Sequence, residues 1–182
     1  MQRVNWGIIG LGNMALKFAE SFKDLENAQL VSIASRDIKK LKIFKEKFKI
    51  DKDLSFQNYE DLLECEKVDI VYIALPNSYH YNWIIKCIEK KKRVLVEKPA
   101  VLSTDEAVKI NRKLLGKNLL FVEAFMYRFH PQIKKVVGLI KKNKIGKLIS
   151  MEAAFGKDIL TKKNFFGFRK NKKINEKNRL FN

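Results

Sequence analysis

Along most of the chain, short apolar runs alternate with stretches of helical periodicity. Val4–Gly10, Gln29–Ser35, Asp69–Leu75, Arg93–Glu97 and Leu119–Val122 read as strands, with a weaker one near Leu54–Phe56. Runs this short and this continuously apolar suit parallel strands covered on both faces. Between them, Ile38, Leu41, Phe44 and Phe48 recur at helical spacing. Ser103-Thr104-Asp105-Glu106 has the Ser-x-x-Glu form of a capping box and opens a helix through Ala107, Ile110 and Leu114. Ile133, Val136, Val137 and Ile140 make one apolar face of a further helix, which should end before Ile145-Gly146. The alternation predicts an α/β fold with a doubly wound parallel sheet of the Rossmann type.

After Gly146 the texture changes. Lys147–Phe155 reads as a new strand, whereas Lys162–Asn182 is basic, polar and weakly periodic. The domain boundary is expected around Glu123–Pro131, giving a first domain over 1–122 and the beginning of a second over 123–182.

At 182 residues the chain can hold one large domain, or a domain and part of another. Lys+Arg 38 against Asp+Glu 20 leaves a net charge of +18, which raises nucleic acid, anionic lipid or phosphorylated ligands as partners. The lysines are spread along the whole chain, and no helix-turn-helix, RNA-binding aromatic motif or zinc knuckle is visible, so nucleic acid is not the expected partner. Cys65 and Cys87 form no Cys-x-x-Cys pair and lie near no histidine cluster, which argues against a metal site or a disulfide framework and fits reduced thiols in a cytoplasm. No secretory signal opens the chain, and no apolar run approaches the roughly 20 residues of a membrane helix. A cytoplasmic protein without membrane contact is the expectation.

The candidate chemistry begins at Gly10-Leu11-Gly12-Asn13-Met14-Ala15, between the first strand and a helix starting near Met14. In that context the first glycine permits a tight turn and the second lets a pyrophosphate approach the backbone. The helix start offers free N–H groups to the anion, and the small Ala15 lets helix pack on strand. The second strand ends in Ser35-Arg36-Asp37. A hydroxyl followed by a guanidinium suits the 2′-phosphate of NADP, whereas a carboxylate there would bond the ribose of NAD. Ser35 and Arg36 favour NADP; NAD stays open, because Asp37 could serve as the ribose carboxylate or simply cap the next helix.

Three further segments join the glycine turn: Ala74-Leu75-Pro76-Asn77-Ser78-Tyr79-His80, Val96-Glu97-Lys98-Pro99, and Glu123-Ala124-Phe125-Met126-Tyr127-Arg128-Phe129-His130-Pro131. Together they resemble the glucose–fructose oxidoreductase/inositol dehydrogenase (Gfo/Idh/MocA) family, nearest its dihydrodiol and D-xylose dehydrogenase branch. The resemblance implies that Lys98 reaches the nicotinamide ribose and the substrate hydroxyl as a buried ammonium, and that Glu97 contacts the cofactor or its supporting backbone. It places Leu75, Pro76, Asn77 and His80 beside the cofactor, with a structural role for His80 as the competing reading. Arg128 and His130 would lie beside the cleft, in substrate contact or structural pairing.

The resemblance further implies that 123–182 begins an α+β substrate domain which is cut short, because the family continues well past a residue such as Asn182. The family's glycine-rich motif with an Asp, and then a His or Tyr, is not found here; the only histidines are His80 and His130. The reading is therefore an NADP-dependent oxidoreductase, or the N-terminal part of one, moving hydride between the nicotinamide and a CH–OH group of a sugar, polyol or vicinal diol. Turnover by these residues alone is expected to be weak or nil, with a tendency to aggregate, and a full-length form is expected to be a homo-oligomer. A non-catalytic NAD(P)-binding regulatory module, or an inactive fragment, is the alternative.

Overall fold

The structure, a computed structural model, describes residues 3–154 and 156. Six strands form one sheet: β1 (Val4–Ile9), β2 (Ala28–Ala34), β3 (Ser55–Phe56), β4 (Ile70–Ile73), β5 (Arg93–Val96) and β6 (Phe121–Glu123). Their spatial order is β3-β2-β1-β4-β5-β6 and every neighbouring pair is parallel. The chain thus leaves β1 toward one edge and later returns to β1's other side with β4. In such a sheet the crevice at the carboxyl ends of β1 and β4 is where ligands bind.

The helices are α1 (Asn13–Ser21), α2 (Ile38–Phe48), α3 (Tyr59–Glu64), α4 (His80–Glu89), α5 (Thr104–Leu114) and α6 (Pro131–Lys141). They explain why the strands are apolar on both faces. Ile8, Ile33 and Tyr72 pack with Ala15, Ala19, Leu41 and Phe44 of α1 and α2. Their strand neighbours Ile9, Ala34, Val71 and Ile73 point the other way, into Leu62, Ile84, Ile88 and Ile110 of α3, α4 and α5. Cys87 lies in that second cluster, and burial pushes its thiol up to about 12, so it is an inert core residue.

Helix starts are closed by side chains where the sequence supplies them. Asp37 accepts from the N–H groups of Lys39 and Lys40, Asn58 from that of Glu60, and Ser103 from that of Glu106. The Glu106 carboxylate reaches back to the N–H of Leu102, completing the capping box one residue before its usual place. Across α3, α4 and α5, Glu60 pairs with Lys86, Glu64 with Lys90 and Glu89 with Lys113.

One expected element does not form. Of the strand expected over Lys147–Phe155, residues 147–154 carry no strand pairing; Phe155 lies outside the described residues, as does Lys162–Asn182. A strand holds only against a partner, and this segment pairs with none among the described residues. Ile149 is 91% and Met151 65% exposed, so the segment's apolar pattern has nothing to bury against among the described residues. The chain divides into two compact units between Lys134 and Lys135, inside α6.

Candidate functional site

The turn after β1 is built for glycine at one place and merely permits it at the other. Gly10 has φ +86°, and a Cβ there would stand 2.7 Å from the Ala74 carbonyl oxygen and 2.7 Å from Leu75 Cδ2. The turn could therefore not carry a side chain without pushing β4's exit away. Gly12 sits in ordinary extended backbone, and a Cβ there would meet nothing within 4 Å. The fold does not demand Gly12; what its missing side chain leaves is open approach to the start of α1.

That helix start has no side-chain cap and no acidic residue in its first turn. Its first N–H groups have no partner within the helix, so they and the positive end of the helix dipole can receive an anion. Asn13 and Met14 are exposed there, while Ala15 is fully buried and brings α1 close to the sheet.

At the exit of β2 the three candidate residues take different roles. Ser35 is buried, and its Oγ accepts from the N–H of Asp37 at 3.1 Å. Asp37 itself is used by α2, both as its cap and in a 3.8 Å contact with Lys40. Of the two roles left open for Asp37, the helix cap is the one observed, made through Oδ1. Arg36 stands with its guanidinium 5.8 Å from the ring centres of both Tyr59 and Tyr79. The Tyr59 hydroxyl foremost, then that of Tyr79, holds the guanidinium above its ordinary value, so the cation is permanent. A cleft of about 240 Å³ opens beside it, lined by Arg36, Asn58, Tyr59, Leu75, Tyr79 and Trp83. Tyr59 lies in no motif, and Tyr79 stands in its segment only as a neighbour of Asn77 and His80; they meet Arg36 because α3 and the exit of β4 converge on the exit of β2.

Past β4, Pro76 and Asn77 are exposed, Asn77 opening a short 3-10 turn (Asn77–Tyr79) ahead of α4. His80 is fully buried, with Nε2 2.8 Å from the Leu75 carbonyl and Nδ1 2.7 Å from the Pro99 carbonyl. Both nitrogens face the backbone, so the ring ties the β4 and β5 exits together and does not face the cleft.

Past β5, the Glu97 carboxylate accepts from the Tyr72 hydroxyl. Burial first, then this carboxylate, raises the Tyr72 phenol far enough that it stays a donor. Lys98 is exposed, which corrects the expected burial: it stands beyond the end of β5, where no described residue covers it. The Lys98–Pro99 bond is cis, and the next N–H, that of Ala100, donates to Glu123 Oε1 at 2.9 Å. Arg128 lies in a 3-10 turn (Met126–Phe129) after β6, exposed and without an ion-pair partner among the described residues. His130 Nδ1 accepts from the N–H of Gln132 at the start of α6.

The parallel sheet thus gathers Gly10, Ser35, Leu75 and Glu97, with their neighbours, along one edge, and the contacts named above join the exits of β1, β2, β4 and β5 directly. Arg128, beyond the outermost strand, makes no such contact. Among the described residues no group of three potential metal ligands occurs, and no helix is long and apolar enough to cross a membrane.

Known proteins resemble this chain in sequence and in fold. Residues 4–125 match the family model described as an oxidoreductase family with NAD-binding Rossmann fold, Gfo/Idh/MocA. The chain is 28% identical over 156 residues to trans-1,2-dihydrobenzene-1,2-diol dehydrogenase of Xenopus tropicalis, covering 85% of this chain and 47% of that protein. It is 29% identical over 150 residues to D-xylose 1-dehydrogenase (NADP(+)) 2 of Haloferax volcanii, covering 82% and 45%. A 3-ketoreductase from Actinomadura kijaniata, solved with NADP and TDP-benzene, aligns with a TM-score of 0.70 at 29% identity, over 78% of this chain and 43% of that one. The chain spans about half the length of these relatives.

Proposed function

The chain belongs to the Gfo/Idh/MocA oxidoreductase family with NAD-binding Rossmann fold, and on that premise we propose that it forms the NADP-holding part of an enzyme acting on a CH–OH group of a sugar or vicinal diol. The observation that carries the choice of cofactor is Arg36, a cation held beside the cleft at the end of β2 while the neighbouring carboxylate, Asp37, is taken up by α2. A guanidinium binds a 2′-phosphate with charge-assisted, two-pronged geometry, and the Ser35 hydroxyl adds a donor. The uncapped start of α1 supports a pyrophosphate, and the open space at Gly12 fits its approach.

When bound, the nicotinamide supplies the hydride acceptor or donor. In this reading Asn77, Glu97 and Lys98 line the nicotinamide side, the Lys98 ammonium orienting the substrate hydroxyl and offsetting negative charge on its oxygen. Arg128, on the connection after β6, would meet the outer part of the site. A proton acceptor is not supplied by either histidine. His80 has both nitrogens turned to carbonyls, and His130 receives a helix N–H. That same observation favours, as a second reading, a module that binds NAD(P) without turning it over.

Calorimetric titration of the 182-residue chain tests the cofactor. NADP should bind about tenfold or more tightly than NAD, and Arg36→Ala should erase the difference. Equal affinity for the two in the unaltered chain would overturn the NADP reading.

A further inference from the structure

We infer that His80 and Glu123 are positioning residues which grip the Pro99–Ala100 peptide unit, one residue beyond Lys98, from both ends and so fix where the Lys98 ammonium stands. The inference rests on the nucleotide reading above. Its observation is a single peptide plane. The carbonyl of Pro99 lies 2.7 Å from His80 Nδ1, while the N–H of Ala100, across the same bond, donates to Glu123 Oε1 at 2.9 Å. In a planar trans unit these two groups point in opposite directions. A side chain from the start of α4 and one from the end of β6 therefore hold it on opposite sides.

The setting is rigid. His80 is fully buried and Ala100 is 5% exposed. The other ring nitrogen of His80 lies 2.8 Å from the Leu75 carbonyl, so the ring is packed against the exit of β4, and the N–H of Glu97 donates to the Ile73 carbonyl from the same strand pair. Lys98, by contrast, has no side-chain hydrogen bond or ion pair among the described residues. Its place is inherited from the backbone on which it stands. Each side chain is turned to this peptide: both ring nitrogens of His80 lie against carbonyl oxygens, and Glu123 Oε1 holds the Ala100 N–H.

The test compares two ligands in the 182-residue chain by calorimetry: NADPH, and 2′,5′-ADP, which lacks the nicotinamide ribose that Lys98 is proposed to reach. His80→Leu and Glu123→Leu should each weaken NADPH by about tenfold and leave 2′,5′-ADP within about twofold. His80→Gln and Glu123→Gln, which keep a donor and an acceptor respectively, should recover most of the loss. Combined with Lys98→Ala, His80→Leu should cost NADPH nothing further, because the group it positions is gone. Parallel weakening of both ligands, undiminished NADPH binding, or losses that add to that of Lys98→Ala would each overturn the clamp. If the unaltered chain bound no 2′,5′-ADP, the nucleotide reading itself would fall and take the clamp with it.

Discussion

Helices α1 and α2 both begin just past a strand at the same edge of the sheet, yet their first turns are finished differently. In α2 the Asp37 carboxylate takes the N–H groups of Lys39 and Lys40. In α1 the corresponding position is Gly12, no side chain caps the helix, and no acid stands in its first turn. The backbone geometry at Gly12 would suit a capping residue, and there is room for one. An open start is not by itself distinctive, since α4 too begins without a side-chain cap; what sets α1 apart is a glycine at a position with room for a capping side chain, and that supports the phosphate position proposed above.

Three substitutions test that contrast. The largest effect belongs to Gly10→Ala, which should lower unfolding stability in denaturant by about 3 kcal/mol, because positive φ and the contact with Ala74 act together. Denaturation midpoints within error of the parent would show that the turn is not constrained as described. Gly12→Asp should do the reverse of what its neighbour does. It should cap α1 and raise stability by about 1 kcal/mol, while weakening NADP about hundredfold, since a carboxylate would occupy the anion's position. Retained cofactor affinity would mean that the α1 start is not the phosphate site. The smallest change is Asp37→Ala, which should cost α2 about 1 kcal/mol yet leave NADP and NAD affinities within about twofold. A selective loss of NAD binding there would restore Asp37 as a ribose ligand.

Much of the sheet was legible in the sequence because parallel strands buried on both faces must be apolar throughout, and five such runs stand out. Their observed ends fall slightly inside or beside the expected ones: in four runs the last residue already turns into the loop, as Val4–Ile9 for Val4–Gly10 shows, whereas β6 begins later than its run and continues to Glu123. The six-residue α3 is too short for periodicity, and its only signal is the cap at Asn58. Lys147–Phe155 failed for the opposite reason, an apolar pattern with no partner among the described residues. In the site, the residues just past each strand could be read in chain order, since the topology brings strand ends to one edge. Contacts made across the sheet could not: Tyr59 and Tyr79 beside Arg36, and Glu123 on Ala100, are joined only by folding.

Trp83 lies 9% exposed on the wall of the Arg36 cleft, its ring meeting Tyr59 edge-on at 5.1 Å. The other tryptophan, Trp6, is packed among Phe18 and Phe22 near the opposite end of the sheet. One indole therefore borders the cleft and one stands apart from it, so if the proposed nucleotide binds there, Trp83 fluorescence should respond while Trp6 serves as an internal standard.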